Sequence, residues 1–158
     1  MYDVPLVRIL IDGYSLLHAW PDLAPGKPRH SQTARDELIF KLTQYRDAST
    51  TPITVFFDGQ GSPGGVPKNN STPEMEILFS KSGQTADDMI ERTAHRMKKY
   101  GDVLVVTNDF AERDLVIGMG CHASSCENFI HMVESELKEM QSDVKLYNRR
   151  ELDRYKNS

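Results

Sequence analysis

The chain is poor in cysteine. Cys121 and Cys126 are its only two, five positions apart, and without a second pair they do not make a structural zinc site. A local disulfide is one reading of the pair; reduced thiols in a cytosolic protein are the expected one. Long hydrophobic runs are also missing, since no stretch approaches the about 20 apolar residues of a membrane helix. Met1-Tyr2-Asp3-Val4-Pro5 lacks the basic region and apolar stretch of a secretion signal, so the expected compartment is the cytoplasm, with no membrane partner. Positive charge is in short supply: 19 Lys and Arg stand against 23 Asp and Glu, a net charge of −4. That balance argues against broad gripping of nucleic-acid phosphates, although it leaves room for a local basic patch. There is no Gly-rich phosphate loop and no internal repeat. His18, His95, His122 and His131 are scattered without ligand spacing.

What is present is a regular alternation. At 158 residues, with 39% hydrophobic and 27% charged content, the chain suits one domain with a real core. We place that domain at residues 1–147 and a charged, fraying tail at 148–158. Val7–Ile11 is a short apolar run ending at Asp12-Gly13, which reads as a buried strand and a turn. Thr33–Ala48 carries Leu38, Ile39, Leu42 and Tyr45 at helical spacing. Ile53–Phe57 is a second strand, ending at Asp58-Gly59. Gly59–Pro73 is rich in Gly, Pro, Asn and Ser and reads as a long loop. Met75–Phe79 is a third strand and Thr85–Lys99 the clearest helix, with Ala86, Met89, Ile90, Thr93, Ala94 and Met97 inward. Val103–Thr107 is the clearest strand. Phe110–Ile117 is a short helix broken by Gly118 and Gly120. His122–Ser124 is a short strand, and Cys126–Met140 a helix with Phe129, Ile130, Val133, Leu137 and Met140 inward. The methionines of these helices read as core filling. Strands apolar on both faces and alternating with helices predict a three-layer α/β/α fold around a central, mainly parallel sheet.

Acids recur where such strands end. Asp12, Asp58 and Asp109 each follow a strand, and Asp87 lies in the first turn of a helix entering the same edge. Parallel sheets bind ligands beyond their carboxyl ends. Crowded carboxylates repel one another unless a cation neutralises them, and an all-oxygen set suits Mg²⁺ or Mn²⁺. Each acid also has a plainer role. Asp12 and Asp58 fit Asp-Gly turns. Thr85 and Asp88 fit a capping box, which accounts for Asp88 but not Asp87. Asp109 and Glu112 fit another. A phosphatase with Asp12 as nucleophile would want an acid two residues later, where Tyr14 stands.

The segments ILIDGYSLLHAWP (9–21), VFFDG (55–59), FSKSGQTADDMIERTAHR (79–96) and VLVVTNDFAERDLVIGMGCHAS (103–124) resemble the YacP-like branch of NYN-domain proteins, within the PIN-like nuclease superfamily. They span most of the chain in the family's order. The resemblance implies a PIN-like fold and a metal-dependent endoribonuclease, with Asp12, Asp87 and Asp109 as catalytic, metal-binding acids and Asp58 as a further metal ligand. It also implies RNA substrates, with cleavage of mRNA in association with the ribosome as one theme. The family usually reads Asp-Gly-Tyr-Asn where this chain has Ser15, which is shorter but keeps a hydroxyl. Asn108 and Phe110 replace a commoner Ser and a polar residue beside Asp109.

Candidate RNA contacts ring these acids. Lys27, Arg29, His30 and Arg35 gather before and in the first long helix. Lys68 lies in the long loop, and Lys81 and Arg113 flank metal-ligand candidates. Ser15 is a further candidate. Tyr14 and Trp20 offer stacking faces, although Trp20 beside Pro21 reads as packing. Two other functions compete. A catalytically weak RNA- or ribosome-binding module would use the same fold; a flavodoxin-like small-molecule domain would not need the carboxylates.

Overall fold

The computed structural model describes residues 5–59 and 71–156. Its element order is β1 (Leu6–Asp12), α1 (Gly13–Ala19), α2 (Gln32–Ser49), β2 (Ile53–Phe57), β3 (Met75–Phe79), α3 (Ala86–Lys98), β4 (Asp102–Val106), α4 (Phe110–Gly118), β5 (His122–Ser124) and α5 (Cys126–Lys156). The strands form one sheet in the order β3-β2-β1-β4-β5, and every neighbouring pair is parallel.

The period-two alternation of the strands sorts their side chains onto two faces. Ile9, Ile11, Val55, Phe57, Leu104 and Val106 meet α1, α2 and α5 in one buried cluster. Leu10, Phe56, Val103 and Val105 meet Ala86, Ile90 and Ala94 of α3 and Val116 of α4 in the other. This is the expected three-layer α/β/α arrangement. The middle of each central strand, at Ile9–Ile11, Ile53–Phe57 and Val103–Val106, is buried because helices cover both faces, which is why these stretches are almost wholly apolar.

Several details depart from the sequence reading. Asp12-Gly13 starts a helix instead of a turn: the Asp12 side chain accepts from Ser15 N, as an N-cap does. Gly13 is needed here because the Phe57 ring lies where a Cβ would project. Met140, expected inward, is exposed. Residues 148–156 continue α5, so the charged segment expected to fray is helical as far as Lys156. The predicted loop after Gly59 lies mostly outside the described residues, and Lys68 with it. Cys121 and Cys126 are free and buried. No helix among the described residues is long and apolar enough to cross a membrane.

Candidate nuclease site at the carboxyl edge of the sheet

The strand register assembles the acids. Asp12 aligns with Phe56 of β2, and Ile11 aligns with Val106 of β4. Asp12 therefore sits across from Thr107, with Asp58 two residues beyond Phe56 on one side and Asp109 two beyond Thr107 on the other. The sheet order also reverses here, because the chain leaves β1 towards β2 and later returns to β4 on the opposite flank. Such a switch point opens a crevice.

Three of the four acids are held by backbone at a helix start. Asp12 Oδ1 accepts from Ser15 N at 3.3 Å, and Asp109 Oδ1 accepts from Glu112 N at 3.2 Å. Asp58 Oδ1 accepts from Ala86 N at 2.8 Å, so it ties the end of β2 to the first turn of α3, next to Asp87. The Thr85–Asp88 capping box forms as expected, which leaves Asp87 uncommitted. Thr107, which no local pattern singles out, joins two of the acids. Its hydroxyl hydrogen-bonds to Asp12 and accepts from Asp109 N at 3.2 Å.

The carboxylates feel one another. Burial lifts the Asp12 pKa from 3.8 to about 6, with the charges of Asp87 and Asp58 adding to the rise. Burial also raises Asp87, helped by Asp109, Asp58, Glu91 and Asp88. Glu91 and Glu112 extend the cluster beyond the predicted set. Glu91 stands one helical turn after Asp87, a spacing that puts both on one face of α3. Glu112 is only 4% exposed. It is pushed up to about 9 by burial, by a hydrogen bond with Glu91 and by the charge of Asp87, and its Oε1 has no hydrogen-bond partner among the described residues. Asp109 and Glu112 thus make half a capping box: Asp109 caps, and the Glu112 carboxyl turns into the acid cluster. Among the described residues, no three His, Cys, Asp or Glu side chains close into a ready-made metal cage. The donor set nevertheless suits a hard cation: all its ligands are oxygens, and three of its members, Asp12, Asp87 and Glu112, have pKa values raised partly by their acidic neighbours.

Two of the departures beside these acids, Ser15 and Asn108, are connected. The Ser15 hydroxyl accepts from Asn108 N at 3.0 Å and lies 3.4 Å from Cys126 Sγ. Asn108 Oδ1 accepts from Cys126 N at 2.7 Å, and its Nδ2 donates to Glu127 Oε1 at 2.8 Å. Ser15 and Asn108 thereby clamp the first turn of α1 and the loop after β4 to the start of α5, so this hydroxyl faces protein groups.

A match to the model of the YacP-like NYN domain covers residues 9–158. The chain belongs to the YacP-like NYN-domain family. Over 128 residues it is 30% identical to the uncharacterized protein YacP of Bacillus subtilis strain 168, covering 80% of this chain and 75% of that one. It also resembles two crystal structures of Rae1 (YacP) from Bacillus subtilis. The wild-type structure has a TM-score of 0.74 at 28% identity, covering 90% of this chain and 80% of that one. The W164L mutant has a TM-score of 0.74 at 27% identity, covering 89% and 82%. The NYN family is related to the PIN-like nucleases, so membership points to a nuclease-type activity.

The predicted RNA contacts separate in space. Lys81 is exposed and lines a cavity beside Asp58. Arg113 lies over the exposed Phe110 ring, its guanidinium 4.4 Å from the centroid, one turn from Asp109. Lys27 is exposed. Arg29 instead turns inward, donating to the backbone oxygens of Leu17, Trp20, Leu23, Ala24 and Lys27 at 2.7–3.2 Å. That pattern staples the α1–α2 connection. Trp20 is buried, as its packing reading expects.

Proposed function

We propose that the protein is a metal-dependent endoribonuclease that cleaves RNA phosphodiester bonds at the carboxyl edge of its sheet. The observation that carries this reading is the acid row itself, in which Asp12 and Asp87 hold protons more tightly than usual, in part because neighbouring carboxylates crowd them. Such a row favours a divalent cation. Asp12, Asp87 and Asp109 would hold Mg²⁺ or Mn²⁺, with Asp58 at the periphery. A bound ion of this kind supplies an activated water at neutral pH and neutralises phosphate charge.

The chain's own groups supply the rest. Ser15 N and Thr107 orient the Asp12 carboxylate. Asp58 anchors the start of α3, on which Asp87 stands. Lys81, beside Asp58, and Arg113, one turn from Asp109, would hold the RNA phosphates on either side of the cleaved bond. The expected substrate is mRNA, the expected compartment the cytoplasm and the ribosome the candidate partner. The lack of a ready-made ligand cage among the described residues favours a second reading, an RNA- or ribosome-binding module with little catalysis.

One experiment separates the two. Purified protein is incubated with end-labelled RNA and with ribosomes, with Mg²⁺ or with EDTA. Cleavage that needs the metal supports the nuclease. Ribosome co-sedimentation in Mg²⁺, with the RNA left intact there, supports the module and rejects the nuclease.

A further inference from the structure

Next to the acid row, on the β2–β3 side, lies a cavity of about 970 Å³ whose lining includes Tyr14, His30, Arg35, Phe79, Lys81 and Gln84. Asp58 belongs to its wall as well as to the row, so the two are continuous. The volume is at the upper end of the range for small-molecule sites, about 300–1,000 Å³. One wall is aromatic. The Tyr14 and His30 rings lie 4.2 Å apart between centroids, tilted by 35°. Behind them Tyr14 meets Phe57 at 4.9 Å, and Phe57 stacks on Phe79 at 5.4 Å.

Arg35 holds this wall in place. It donates to Tyr14 Oη at 3.2 Å and to the His30 carbonyl at 2.6 Å, and its guanidinium lies 5.7 Å from the Phe79 centroid. Tyr14 and Arg35 are partly exposed, and His30 and Lys81 are exposed. The cavity thus combines an oriented π surface, two cations and the Gln84 amide, a group able to donate to and accept from a base edge. An apolar substrate would leave Lys81 and the Gln84 amide unused. A free phosphate would leave the aromatic wall unused.

We infer that this cavity receives one unpaired nucleobase of the RNA, next to the bond cut at the acid row. The base stacks against His30 and Tyr14, Gln84 meets its edge, and Lys81 holds the adjoining phosphate. A base inside a duplex is already stacked and paired and cannot enter such a cavity. The substrate is therefore single-stranded at this position. The inference rests on the ribonuclease reading for the neighbouring bond, but the cavity's preference for an unpaired base can be measured without cleavage.

The test is fluorescence anisotropy with a short labelled single-stranded RNA in Mg²⁺, in the Asp12→Asn background, where the proposed chemistry is silent. His30→Ala is expected to weaken binding by about 5- to 150-fold, the range for loss of one stacked base. Lys81→Ala should lower the steepness of the salt dependence by about one ion. An abasic nucleotide at one position should weaken binding when His30 is present and add little when His30 is absent. The same RNA annealed to its complement should bind at least about 10-fold more weakly. Equal binding of duplex and single strand, or His30→Ala within about twofold of its parent with no sensitive abasic position, overturns the inference. If the binding pattern appears but the wild type cleaves nothing, the nuclease reading fails and the base cavity stands. If cleavage occurs with none of the pattern, the reverse holds.

Discussion

Asp12→Asn should make the metal-free protein more stable at neutral pH, although it removes the residue most central to the proposed chemistry. The Asp12 pKa is raised from 3.8 to about 6, chiefly by burial and then by Asp87 and Asp58, against the lowering effect of Ser15 N and Thr107. A tenfold change in proton affinity corresponds to about 1.4 kcal/mol. A raised folded-state pKa contributes stability that is fully present below the unfolded value and lost as pH rises through the folded one. Wild type and variant should therefore be alike below about pH 4, diverge between about 4 and 6, and differ by a constant amount above that. The plateau should be about 2–3 kcal/mol in favour of Asn, once the weaker acceptance of Ser15 N by a neutral amide is included. For a chain of this size that is roughly 4–12 °C in Tm. The assay is thermal melting in EDTA across pH 3.5–8, followed by Mg²⁺ titration at pH 7.5, which should raise the wild-type Tm and move the variant less. A variant that melts below wild type at pH 8 in EDTA, or a difference that ignores pH, would refute the electrostatic reasoning.

Glu112→Gln should behave in the same sense over a more alkaline window. Glu112 is held up to about 9, so wild-type stability should fall from about pH 5 to 9 and the variant should show a shallower fall by urea denaturation. Arg29→Ala should cost at least about 2 kcal/mol in chemical denaturation, because buried carbonyls lose a charged donor, with no change in the salt dependence of RNA binding. Gly59→Ala should cost about 2–4 kcal/mol, since its Cβ would meet the Ser80 carbonyl oxygen and lie 3.0 Å from Phe79 Cβ; an unchanged urea midpoint would contradict the close approach of β2 and β3.

The sheet was the most legible part of the sequence. Val103–Val106 and Ile53–Phe57 are apolar on both faces because helices cover both, and that pattern alone implies parallel pairing. The gathering of Asp12, Asp58 and Asp109 at one end of the strands followed from the same logic. What stayed hidden was chosen by tertiary contacts. Asp12 suits a turn and an N-cap equally well, and only the packing of Leu16 and Leu17 into the core turns that segment into a helix. Arg29 looks like any surface arginine until the α1–α2 connection wraps round it. Glu112 has the spacing of a capping residue, and nothing local says that its carboxyl goes to Glu91 instead. The charged end of α5 reads as a frayed tail, yet it continues the helix and carries an Arg154–Glu151 pair at 3.0 Å. Ser15 and Asn108 stood out as two separate departures from the family; their hydrogen bond joins them into one device.

The central claim is that the acid row cuts RNA with a divalent ion. Its most direct test is cleavage of an end-labelled single-stranded RNA by wild type, Asp12→Asn and Asp87→Asn, prepared identically and assayed with Mg²⁺, with Mn²⁺ and with EDTA. The account predicts cleavage by wild type in either metal, none in EDTA, and a loss of about 100-fold or more in each variant while the fold survives. Full activity in both variants, or undiminished wild-type cleavage in EDTA, would contradict it.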